Sequence, residues 1–303
     1  MKKQTSSKKA VAALRYCGLP PVAPIQLPAN ISADRSRAII ANSKKLVNGT
    51  VLKYYFFKQD KPAWRGTAAD MLTARNGFAA WKNLGIGLNF VEVDNAEEAD
   101  IRIGFASGDG SWSYVGRDIF TIPTDERTMN LGWNELDTAI HEIGHTIGLE
   151  HEHQNPFAGI VWNEEAVYAD LGGPPNNWSR DKTFYNIIRK IPPSSVAGTS
   201  WDPNSVMHYP FSAGLIDQPT QYRHGLNPAG GLSASDKAWV RSVYPPLQPK
   251  KYPILKVGFA AVIKINNGEQ MDFIFQPKIS RKYSIQTTGE MDTILLVYEA
   301  ATG

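Results

Sequence analysis

A single cysteine among 303 residues rules out an internal disulfide framework, so the fold must be held by packing, which a chain of this length can supply. No stretch approaches the roughly 18 consecutive apolar residues that a bilayer crossing needs, so no membrane span is expected. Acidic residues are missing from the first twenty positions, where Lys2, Lys3, Lys8, Lys9 and Arg15 gather positive charge. Those five outweigh the net charge of +3 and leave the rest of the chain slightly negative, which removes the case for a nucleic-acid face. The same tail lacks a normal secretory core: Arg15 interrupts the apolar stretch AVAAL, and LRYC puts large residues where a lipoprotein box wants small ones.

Histidine is the exception to this sparseness. HEIGHTIGLEHEH, residues 141–153, holds four of the six histidines. On a helix His141 and His145 project from one face about a turn apart, which is the reach needed to grip one metal ion. The preceding NELDTAIHEIGHTIGL places Leu136, Ile140, Ile143 and Ile147 at helical spacing, which predicts a helix with a buried stripe. Gly148 ends it, because glycine tolerates the left-handed backbone that lets the chain reverse and bring His151 back. Three neutral imidazoles leave a fourth tetrahedral position open, the arrangement of a catalytic zinc site. Glu142 then stands where a carboxylate can take a proton from an acidified water and pass it to a leaving amine. A lone HExxH recurs by chance in helices; the extended HExxHxxGxxH is far more constrained. His153 falls outside the pattern and is expected to be solvated or to support a ligand, and His208 is expected to be structural.

The chain around this string reads as mixed elements. Residues 1–45 form an N-terminal arm or pro-segment, with Pro20, Pro21, Pro24 and Pro28 early and one short helix in SADRSRAIIANSKKL. NGTVLKYYFF, LNFVEV, ADIRIGF and TMNLGWN read as strands. TAADMLTARNGFAAWKNL reads as a helix with Met71, Ala74, Phe78 and Trp81 inward. From 154 to 231 the chain is loop-rich, with one short helix around DKTFYNIIRK. LSASDKAWVRSVY closes the domain as a helix, with Ser233 as N-cap and Asp236 completing a capping box. PPLQPKKYP is a linker, followed by the short strands FAAVIKI, MDFIFQ, KYSIQTT and TILLVYE. Strands and helices without strict alternation predict an α+β layer.

Four pieces together resemble the metzincin metallopeptidases, and among them the astacins: the zinc string running on through Glu152, SVMHYP at 205–210, SGDGSWSYVGR at 107–117, and the helix LSASDKAWVRSVY. ARNGFAAWKNL through ADIRIGF is equally similar to matrixins. The resemblance implies a metzincin-type catalytic domain over 46–246, a twisted mixed sheet with long helices and zinc in a cleft. It implies that Met207 floors the metal and that Tyr209 is a further ligand able to swing away and donate to an oxyanion. It implies that Glu152 receives a newly cut N-terminus. The disulfides of astacins are absent, since the cysteine expected near SGDGSW is replaced. RYCGLPP resembles the matrixin latency string, in which a cysteine thiolate occupies the open zinc position, and implies that role for Cys17. Residues 253–303 resemble the first half of a β-sandwich module that follows many secreted bacterial peptidases.

The expectation is therefore a zinc endopeptidase acting on polypeptides laid antiparallel to an edge strand near TMNLGWN, with Glu142 as base. It would be delivered outside a bacterial cell without a standard signal peptide. The alternatives are a catalytically silent binding or toxin-delivery module on the same fold, and a metal hydrolase of non-peptide substrates.

Overall fold

A computed structural model describes residues 14–22, 44–193, 200–247, 253–260, 273–279 and 281–287. The chain divides into two compact units, Met1–Leu247 and Gln248–Gly303.

The first unit is built on a five-stranded sheet: β1 (Val51–Phe56), β2 (Asn89–Glu92), β3 (Ile101–Gly104), β4 (Trp112–Ser113) and β5 (Met129–Asn130), in the order β2-β1-β3-β5-β4. The first four in that order run parallel, and β4 closes the edge antiparallel to β5, pairing Trp112 with Asn130. Burial on both faces at its end explains the unbroken aromatic run Tyr54, Tyr55, Phe56 and Phe57. Leu52, Tyr54 and Phe56 enter the main core, and Tyr55 and Phe57 pack with Ala99 and Trp64 on the other side. Two helices cover the core face, α1 (Ala68–Lys82) and α2 (Leu136–Thr146). Thr67 caps α1 in a capping box with Asp70, an interaction worth about 1 kcal/mol. The helices approach closely because Gly77 of α1 lies on Ala139 and Ile143 of α2, and Trp81 donates its indole N–H to the Ile140 carbonyl at 2.9 Å.

Beyond α2 come β6 (Val161–Trp162), α3 (Glu164–Gly172), α4 (Arg180–Thr183) running into a π turn at Phe184–Ile188, β7 (Ile216–Gln218) antiparallel to β6, and α5 (Ala234–Val243). The Ser233–Asp236 capping box starts α5. Just after α5, the Tyr244 hydroxyl donates to the Ile147 carbonyl at 2.7 Å and accepts the Leu46 N–H at 3.1 Å. One phenol thus joins the first residues after the arm, the end of α2 and the last helix.

Several expectations change. The strand at TMNLGWN is not an edge: β5 lies inside, between β3 and β4, because SWS folds back across it and takes the outer position. Leu136 is the first residue of α2 and is 46% exposed, since a first-turn side chain projects past the surface that Ile140, Ile143 and Ile147 bury. The region 154–231 holds the additional helix α3, signalled by Asn163, whose side chain accepts the Ala166 N–H, and by Glu164 and Glu165 in the first turn. The helix expected within 32–46 lies almost wholly outside the described residues, as do FAAVIKI and TILLVYE. In the second unit the described residues show one isolated bridge, Ile254 with Ile274, and a ring contact between Phe275 and Tyr283 at 5.2 Å. KYSIQTT is irregular over its described residues, with no strand pairing there. No described helix is long and apolar enough to cross a membrane.

Candidate metal centre

His141 and His145 stand one turn apart on α2, and the chain leaves that helix through Gly148 at φ +99° before reversing to His151. All three rings are buried. His145 Nε2 lies 3.1 Å from His141 Nε2 and 3.0 Å from His151 Nε2. The opposite ring atoms are fixed to the backbone: His141 Nδ1 donates to the Val206 carbonyl at 2.7 Å, and His145 Nδ1 donates to the Leu149 carbonyl at 2.7 Å. With their protons on Nδ1, these Nε2 atoms face each other as bare lone pairs, which repel unless a cation lies between them. Protonation does not relieve this, because burial lowers His141 to about 4 and holds His145 and His151 well below the usual imidazole range. Zinc–nitrogen bonds of 2.0–2.1 Å set neighbouring nitrogens about 3.3 Å apart in a tetrahedron, close to the spacing found. The donor set fits one zinc ion.

Glu142 is fully buried beside the imidazoles, and burial pushes its carboxyl up to about 8, against a lowering contribution from the Cys17 thiol. That thiol donates to Glu142 Oε2 at 3.4 Å, while Oε1 has no partner. Cys17 Sγ joins the three histidines in one group whose ligand atoms all lie within 4.8 Å of each other. Burial, then the Glu142 charge, push the thiol itself well up. Everything here that titrates is held neutral in the absence of positive charge, and a divalent cation supplies that charge.

The floor is Met207, packed so tightly under α2 that a methyl at Gly144 would lie 2.5 Å from its Sδ and 3.3 Å from Trp81. Gly144→Ala is expected to cost about 1–3 kcal/mol, the usual penalty for overpacking, read as a melting-temperature drop of roughly 3–10 °C by calorimetry. The turn bearing Met207 hangs on Asp236, whose carboxylate accepts Ser205 Oγ at 2.6 Å and the Val206 N–H at 2.9 Å as well as capping α5. Asp236→Ala would strand two buried donors, costing about 2–4 kcal/mol by urea unfolding, whereas Asp236→Asn should cost less. The Tyr209 hydroxyl touches His151 Nε2 and donates to the Cys17 carbonyl at 2.8 Å. Glu152, lifted to about 7 by burial, accepts the Asp202 N–H at 3.0 Å and the Asn155 amide at 3.2 Å. His153 is buried, not solvated, with Nε2 donating to the Asn186 carbonyl at 2.8 Å; two residues past His151 it points back into the second core. His208 is buried too and donates to the Tyr209 carbonyl.

Nothing local in the sequence signals what holds the arm. Asn176 accepts the Tyr16 N–H at 3.2 Å and donates to the Leu14 carbonyl at 3.0 Å. Asn186 accepts the Leu19 N–H at 2.8 Å, and Gly18 N–H reaches the Ser111 carbonyl, beside edge strand β4, at 3.3 Å. Apart from this last contact, these are side chains some 160 residues distant reading main-chain atoms, a pairing without local pattern.

Comparison with known proteins agrees with this geometry. The profile of the astacin family, "Astacin (Peptidase family M12A)", matches residues 46–164. The solved structure of myroilysin is 30% identical, superposes with a TM-score of 0.61, and covers 69% of this chain and 98% of its own. Protein SpAN of Strongylocentrotus purpuratus is 39% identical over 47% of this chain and 22% of its own length. Serralysin of Photorhabdus laumondii is 31% identical over 33% of this chain and 25% of its own. The chain thus spans a quarter or less of the length of these two curated relatives. With three imidazoles converging above Met207 and this set of relatives, the chain belongs to the metzincin peptidases, in their astacin-like branch.

Proposed function

We propose that the chain is a zinc-dependent endopeptidase whose full-length form is latent. The observation that carries this is the convergence of three buried imidazole Nε2 atoms with a buried carboxylate alongside. Zinc, when bound, polarises the scissile carbonyl and acidifies the attacking water. Glu142 takes the proton from that water and returns it to the leaving amine. Tyr209, released from its contact with His151, donates its hydroxyl to the charge that develops on the carbonyl oxygen. An extended substrate follows β4, where the arm already bonds the Ser111 carbonyl.

Latency rests on Cys17, whose sulfur lies within 4.8 Å of the imidazole nitrogens and whose proton donates to Glu142. As a thiolate on zinc, Cys17 would exclude the water, its proton having passed to Glu142, the carboxylate it faces. Cleavage upstream of the catalytic unit would withdraw the arm, with Glu152 the carboxylate against which a new N-terminus docks. Action outside the cell fits a chain of this kind. Digestion of a proteome-derived peptide library, read by mass spectrometry, tests the reading: internal cleavages should appear, vanish with a chelator and return with added zinc. Cleavage that persists in a metal-free preparation would end it.

A further inference from the structure

The arm does more than carry a thiol. One residue before Cys17, the Tyr16 ring is 3% exposed and sits in a socket of aromatic faces: stacked on Phe211 with centroids 5.7 Å apart, edge-on to Tyr209 at 5.3 Å, and tilted against Trp178 at 6.3 Å. Trp178 closes this site from the loop before α4 and also lies against the arm at Gly18, where an added methyl would come within 3.4 Å of it. At its far end the Tyr16 hydroxyl is buried with no hydrogen-bond partner among the described residues. Asp170 acts on the phenol electrostatically, adding to burial in pushing it out of reach of ionisation. Beside the socket Asn176 holds the N–H of residue 16 and the carbonyl of residue 14, groups that every peptide offers. That pair of bonds fixes a register without reading a sequence, and the register aims one side chain into the socket.

We propose that this socket is a substrate subsite that takes a bulky aromatic side chain close to the scissile bond, phenylalanine at least as readily as tyrosine. The inference rests on the peptidase reading above. When the arm leaves, three ring faces next to the metal lose their cover, and an aromatic side chain restores more buried area than any other. A phenol hydroxyl gains nothing from a floor without a partner. An acidic side chain would meet both an apolar wall and the Asp170 carboxylate.

The test uses the full chain carrying Cys17→Ser with Tyr16→Gly, so that neither metal nor socket is held, and peptides differing only by Phe, Tyr, Ala or Asp at successive positions around one cleaved bond. At one position Phe should exceed Ala in kcat/KM by about tenfold or more, Tyr should not exceed Phe, and Asp should fall below Ala. Adding Trp178→Ala should shrink the Phe:Ala ratio several-fold. Equal rates for Phe and Ala at every position would overturn the subsite and leave the peptidase intact. No cleavage of any peptide by zinc-loaded protein would overturn both. A readout independent of turnover is alkylation of Cys17 in the otherwise unaltered chain. Tyr16→Ala should speed it by about tenfold and Tyr16→Phe should not; an unchanged rate in Tyr16→Ala would show that the socket anchors nothing.

Discussion

Replacing Glu142 by glutamine is expected to lower peptide hydrolysis by about 10²–10⁴-fold while zinc content stays stoichiometric. The size follows from the position of the carboxylate. It is fully buried, and its Oε1 accepts no bond from the described residues. An amide of the same shape fills the volume and cannot accept a proton. The three histidines do not depend on Glu142, because the Val206 and Leu149 carbonyls orient two of the rings. The comparison is made in the Cys17→Ser background by kinetics and elemental analysis side by side. Retained hydrolysis would remove Glu142 as base, and lost zinc would make its role structural.

Cys17→Ser itself should raise the activity of the uncleaved chain by about tenfold or more, since apparent activity scales with the fraction of molecules whose site is open. Serine keeps the size of the side chain, and Tyr16 in its socket and the main-chain contacts of Asn176, Asn186 and Ser111 are untouched, so in this single variant the arm should remain docked. What changes is the sulfur, a far stronger zinc ligand than a hydroxyl. Release would therefore be partial, and cutting the arm from the Cys17→Ser chain should add a further increase. An uncleaved Cys17→Ser chain no more active than its parent would leave latency to the arm's bulk alone.

The centre was legible because it is local. Thirteen consecutive residues carry the three converging histidines, Glu142 and the turn, and helix geometry with one glycine brings them together. The capping box at Ser233 marks α5 for the same reason. Strand order was not legible. The two-residue strand at Trp112–Ser113 has no periodicity to announce it, and its pairing with Met129–Asn130 is what moves the edge of the sheet. Leu136 was misplaced because spacing predicts a face, whereas burial also depends on where a helix begins. The amides of Asn176 and Asn186 are ordinary loop residues until the arm reaches them, and Trp178 gains its meaning from Tyr16.

The Tyr244 phenol sets a limit on how this protein can be processed. It fastens Leu46 to the segment behind α2, so residue 46 belongs to the body, and only residues before it could be shed in the proposed activation. A protease that trims the chain upstream of Leu46 leaves this fastening whole. One that cuts a few residues later removes a bolt from the hinge on which His151 returns, and the product would be shorter, looser and poorer at keeping its metal.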